Sequence, residues 1–153
     1  MNKRKQTIKY LVFDFLSAAL SWTIIYIYRK IFIESQYFDL PIEFTNRYFT
    51  GILIIPLFWI FLYYLSGYYK DIYRKSRLKE IWQTFATTIT GSVIIFFIFL
   101  LDDQIVNYKH YYKLYLTLFT IHFSLTYIPR LIITSITNHK IHTRKIAFNI
   151  IIL

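Results

Sequence analysis

The chain has no cysteine, three glycines, three prolines, one methionine and eight carboxylates in 153 residues. Without cysteine there is neither a disulfide scaffold nor a thiol nucleophile. So little Gly and Pro excludes a collagen-like chain, and so few charges exclude disorder. Charged residues are only 17% of the total, too few to clothe a water-soluble globule of this size. The chain also lacks a P-loop, a GxGxxG turn and a GxSxG elbow, so no motif of soluble-enzyme chemistry is present.

What the chain has instead is apolar and aromatic mass. Hydrophobic residues make up 56%, with 15 Phe, 15 Tyr and 3 Trp, and the mean hydropathy is +0.41. Four long apolar runs stand out, at about 10–28, 48–69, 81–101 and 112–129. Each approaches the ~20 residues that cross a ~30 Å hydrocarbon core. The expected fold is all-α and membrane-integral, a four-helix transmembrane bundle over 1–137. Residues 138–153 are then a cytoplasmic linker and a strand.

The net charge of +10 would suggest nucleic acid if read without its distribution. Lys3, Arg4, Lys5 and Lys9 precede the first run; Lys70, Arg74, Lys75, Arg77 and Lys79 follow the second; Arg130, Lys140, Arg144 and Lys145 follow the fourth. These thirteen lie on one side of the membrane, and only Arg29, Lys30, Arg47, Lys109 and Lys113 on the other. The positive-inside rule places both termini in the cytoplasm and leaves no charge for nucleic acid to explain. The first run continues past Ser17-Ala18-Ala19 to Tyr28, longer than a signal-peptide core, so an uncleaved signal anchor is expected.

Within the runs the polar residues are few. Asp14 lies four residues into the first, about 6 Å from its edge at ~1.5 Å per residue. An acid inside the membrane is a functional candidate, but this shallow one suits an interfacial residue paired with Lys9 or Arg130. His122 lies mid-span, as a hydrogen-bonded packing residue or, less simply, a proton carrier. Ser17-x-x-x-Ser21 and Thr87-x-x-x-Gly91 are small-residue faces, and packing of helix one on helix three is expected through them. Pro56 frees the Ile52 carbonyl, so a kink is expected. Asp102-Asp103 reads as a charged stop rather than an ion site, and His139 with His142 as tail residues rather than half a metal site. No metal site and no catalytic residue is assigned.

Two segments stand apart. In Gly67 to Glu80, the aromatic and apolar residues Tyr68, Tyr69, Ile72 and Tyr73 recur at helical spacing among cations. Arg74, Lys75, Arg77 and Lys79 are therefore candidates for lipid head-group contact, each worth ~1 kcal/mol at an anionic surface. A plain topology signal would have the same composition. The tail Lys145 to Leu153 is too short to span and reads as an isoleucine-rich buried strand. Having no partner strand, it is expected to be the truncated first strand of an α/β domain that is not present.

These residues together resemble the N-terminal membrane domain of the long-form bacterial polyprenyl-phosphate glycosylphosphotransferases, the exopolysaccharide-biosynthesis sugar transferases. The likeness runs through Asp14, Pro56-Leu57-Phe58-Trp59, Ser66-Gly67-Tyr68-Tyr69-Lys70, Arg74-Lys75-Ser76-Arg77-Leu78-Lys79-Glu80, Pro129-Arg130 and Lys145-Ile146-Ala147-Phe148-Asn149. It implies a multi-pass anchor in the bacterial inner membrane, followed in that family by a Rossmann-like domain and a catalytic domain. The catalytic domain transfers a sugar-1-phosphate from a nucleotide sugar to undecaprenyl phosphate with Mg²⁺ and an Asp-Glu pair. On that resemblance the present chain is a non-catalytic anchor without cofactor, its partners membrane lipids, undecaprenyl phosphate and further copies of itself. The alternative is a self-contained four-helix membrane protein, an exporter or assembly subunit.

Overall fold

A computed structural model of the chain describes residues 3–34, 44–70, 77–100 and 108–142, all helical apart from short turns. Helix α1 runs Lys3–Arg29 and continues into a π-helical turn, Lys30–Glu34. Helix α2 is Asn46–Leu65, α3 is Arg77–Ile95 with a π-helical turn Phe96–Leu100, and α4 is Tyr108–His142. All four are long and apolar enough to cross a membrane. The expected strand at 145–153 lies outside the described residues, as do Arg74, Lys75 and Asp102-Asp103.

The radial distribution of side chains is the reverse of a soluble bundle. Leu16, Leu20, Leu53, Leu57, Phe97 and Leu116 point outward, whereas Asp14, Thr84, Thr88, His122, Thr126 and Arg130 are buried. Lipid solvates an apolar exterior without penalty, and polar side chains then find their partners inside. This distribution and the four long helices describe a multi-pass membrane protein.

Each helix packs on its sequence neighbour, and α1 closes the ring on α4. The α1–α4 seam carries a polar contact at nearly every turn. Gln6 Nε2 donates to Thr137 Oγ1 (2.9 Å), the Tyr10 and Thr134 hydroxyls share a hydrogen bond (2.9 Å), and Ser17 Oγ donates to the Leu125 carbonyl (2.7 Å). That carbonyl is the one left without its helical donor by Pro129, which has no N–H. The proline is thereby accommodated, and α4 does not stop at Pro129-Arg130. It runs on to His142, past the expected domain boundary at 137 and through the positions of His139 and His142.

Among the described residues, helix one and helix three do not pack through these two faces as expected. Ser17 faces α4, and Gly91 faces α2, where a Cβ would collide with the Trp59 indole and Leu62. Gly51 likewise seats Trp22 of α1 against α2. Two indoles, each fitted over a glycine, set the α1–α2 and α2–α3 separations. Gly91 does mark a close approach, but its partner is a bulky ring rather than another small residue. At the far end, Trp22 Nε1 donates to the Tyr48 carbonyl (3.3 Å), and the Tyr26 hydroxyl bonds Thr45 (2.9 Å) beside the Phe44 and Tyr48 rings.

Candidate functional site

The most concentrated chemistry lies inside the bundle, near the end that carries the α1 N terminus and the α2–α3 connection. Asp14 and Arg130 are 116 residues apart and form a two-point ion pair, Nε to Oδ1 at 2.8 Å and Nη2 to Oδ2 at 2.9 Å. Their side chains are 1% and 0% exposed. The third guanidinium nitrogen, Nη1, donates to Thr84 Oγ1 of α3 at 3.1 Å. Fork-to-fork geometry is the strongest form of this contact, and it uses the planarity that distinguishes Arg from Lys. Lys9, the other partner open to Asp14 from sequence, is not its partner here.

Two phenol rings close over the guanidinium. The Arg130 Cζ lies 3.9 Å from the Tyr63 ring centroid and 3.7 Å from that of Tyr68. A desolvated cation between two π faces gains from both quadrupoles, up to about 2 kcal/mol per face. Tyr69 completes the carboxylate by donating its hydroxyl to Asp14 Oδ2 at 2.7 Å.

The delivery of Tyr68 and Tyr69 into the bundle depends on the end of α2. Gly67 has φ +68°, the left-handed conformation that glycine adopts at no steric penalty. Its N–H bonds the Tyr64 carbonyl and the Tyr68 N–H bonds that of Tyr63, both at 3.0 Å. This pair of bonds is the Schellman arrangement. It turns the chain back on the helix, so the two residues after the glycine enter the cluster instead of leaving toward solvent. The local sequence Ser66-Gly67-Tyr68-Tyr69 is thus a reversal followed by two phenol arms.

Glu80, in the first turn of α3, is 1% exposed and accepts the Tyr68 hydroxyl. Burial first, and then the neighbouring Asp14 carboxylate, push the Tyr69 phenol well above the ordinary tyrosine range. Burial again leads for Tyr68, with Glu80 adding to it against the opposing Arg130 cation. Both phenols therefore stay protonated and act as donors.

His122 lies one layer deeper. It is wholly buried, shares a hydrogen bond with the Tyr63 hydroxyl through Nε2 (3.0 Å) and stacks on Trp59 at 3.7 Å between ring centroids. The layers are continuous: His122 to Tyr63, Tyr63 to Arg130, Arg130 to Asp14. Tyr63 joins α2 to α4 across the bundle diagonal.

Of the residues singled out in the sequence, Asp14, Arg130, Tyr68, Tyr69 and His122 come together. Arg77 and Lys79 do not; they are exposed at the start of α3, outside the cluster. From sequence, Glu80 falls with the basic connection, Tyr63 is one of the interfacial tyrosines at the end of helix two, and Thr84 carries no assignment. A signal for α3 was present: Glu80, Thr84, Thr88 and Ser92 recur every four residues, and all four are buried. That is a polar stripe on one helical face.

Chemically, the cluster is closed on itself. Both oxygens of Asp14 and three nitrogens of Arg130 have partners, and all the described partners are side chains of the bundle. Such an arrangement holds α1, α3, α4 and the α2 turn in one register. Comparisons with protein families, with curated proteins and with solved structures find no match to this chain.

Proposed function

We propose that the chain is the membrane-anchoring domain of a sugar-1-phosphate transferase of the polyprenyl-phosphate type, acting in surface-glycan biosynthesis and not itself catalytic. The observation that carries this reading is a convergence. Asp14, Trp59, Tyr68-Tyr69, Glu80 and Arg130 belong to five separate stretches on which the family resemblance rests, and they meet in one continuous buried assembly. A likeness spread over unrelated positions would have no reason to do so. An exporter-like role, by contrast, needs Asp14 on an aqueous path, whereas its carboxylate is consumed by Arg130 and Tyr69.

The reading requires both ends of the chain in the cytoplasm, where nucleotide sugars are found. The thirteen-to-five distribution of basic residues favours that orientation. Reporter fusions at positions 40 and 106 are expected to be active outside, and fusions at positions 75 and 145 inside. An external signal at position 145 would remove the anchor reading.

Activity gives a separate test. Membranes holding this chain alone are expected to make no lipid-linked sugar phosphate from labelled nucleotide sugars. Metal-dependent transfer above that of membranes without the chain would show that catalysis resides in these residues, against the proposal.

A further inference from the structure

A second feature lies on the outside of the bundle, at the same end as the ion pair. A groove of about 410 Å³ runs between α2 and α3. Ser66 and Leu62 form one wall; Lys79, Trp82 and Gln83 line the mouth, and Ala86, Thr87 and Thr90 the deeper part. The α3 positions recur at i+3 and i+4, so one helical face makes the whole of that wall. From Lys79 to Thr90 is eleven residues, about 16 Å along the helix. That is close to half of a ~30 Å hydrocarbon core, the depth of one leaflet.

The polarity of the lining falls with depth. At the mouth stands the Lys79 ammonium, beside a Trp82 ring that is 70% exposed, as suits the membrane–water boundary. Gln83 Nε2 donates to the Ser66 carbonyl (2.7 Å), while its Oε1 is buried without a partner among the described residues. Below it Thr87 Oγ1 donates to the Gln83 carbonyl (2.6 Å) and Thr90 Oγ1 to that of Ala86 (3.1 Å), so both threonine hydroxyl hydrogens are used. What Ala86, Thr87 and Thr90 then offer an occupant is largely methyl and methylene surface. Among the described residues, the exposed charge around the mouth is of one sign. Lys70, Arg77 and Lys79 are exposed, while Asp14 and Glu80, the carboxylates described at this end, are buried.

We infer that this groove holds one anionic glycerophospholipid, its phosphate at Lys79 and Trp82 and an acyl chain laid along Ala86 and Thr90. A cation at the interface, a one-leaflet depth and a lower half without open donors are the complement of such a lipid. The inference needs only that the helices lie in a bilayer, and it stands or falls apart from the transferase reading.

The test is native mass spectrometry of the full chain released from nanodiscs of equal phosphatidylglycerol and phosphatidylcholine. One phosphatidylglycerol per chain is expected to remain bound, favoured over phosphatidylcholine by about fivefold, the effect of one cation at an anionic surface. Lys79→Gln is expected to abolish that preference by removing the charge. Ala86→Phe is expected to lose the retained lipid by filling the groove while leaving every cation in place. Both positions are exposed, so the bundle keeps its core, and Arg47→Gln at the opposite end should retain lipid as the parent chain does. Equal retention of the two lipids by the parent chain would overturn the inference. So would undiminished retention in Ala86→Phe, since attraction to the basic end alone would then account for the binding.

Discussion

Replacing Arg130 by leucine is expected to lower the stability of the bundle by about 3 kcal/mol, the low end of the range for breaking a buried ion pair from one side. The loss comes from what remains. Asp14 keeps its Tyr69 donor but loses both guanidinium bonds, so a carboxylate stays buried without its counter-charge. The Tyr63 and Tyr68 rings lose the cation between them. The low end is appropriate because an unfolded chain inside a bilayer also finds polar partners. Unfolding in mixed micelles titrated with SDS would measure the loss. The double variant Asp14→Leu with Arg130→Leu should recover most of it, since replacing a buried pair by apolar groups of similar size is often neutral. If the double variant instead lost the sum of the two single effects, the residues would not be acting as a pair.

A comparable loss is expected at Gly91, from steric overlap rather than charge. An added Cβ would fall well inside van der Waals contact of the Trp59 ring. Trp59 has little room to retreat, being 1% exposed and stacked on both His122 and Tyr63. Gly91→Ala is therefore expected to cost about 1–3 kcal/mol through overpacking. Because Trp59 carries His122, and His122 bonds Tyr63, the strain should extend toward the cluster around Arg130. Thermal unfolding in detergent micelles would report the loss. The compensating variant Gly91→Ala with Trp59→Phe, which shortens the ring, should recover part of it. An unchanged unfolding midpoint in Gly91→Ala would mean that α2 and α3 do not approach as closely as described.

The two variants show where sequence reasoning reached and where it stopped. Asp14 stood out because one carboxylate in an apolar run is unusual, and Arg130 was one of two partners within reach of it. Choosing between Arg130 and Lys9 needed the α1–α4 seam, which brings position 14 to position 130 at the turn between the Tyr10–Thr134 and Ser17–Leu125 contacts. Gly91 was legible as a place of close approach. That its neighbour is Trp59 and not a small residue of α1 depends on the ring order of the helices. Helix α4 outruns the expected end at 129 for a local reason. A proline followed by an arginine ends a span when no other group satisfies the freed carbonyl, and here Ser17 does.

The sequence by itself determined the apolar surroundings and the four runs long enough to cross a membrane. Both follow from hydropathy summed over about 20 residues, a quantity that does not depend on which segment lies beside which. The sequence did not show the turn at Gly67: the second run reads as continuous to residue 69, whereas α2 ends at Leu65 and a left-handed glycine follows it. Tertiary structure alone decided which polar side chains meet: Asp14 with Arg130, Glu80 with Tyr68, Tyr63 with His122. Polarity in a membrane helix says that a partner is required, because an unpaired polar group in hydrocarbon is costly. It does not say which partner, because identity depends on the order, rotation and depth of all four helices at once.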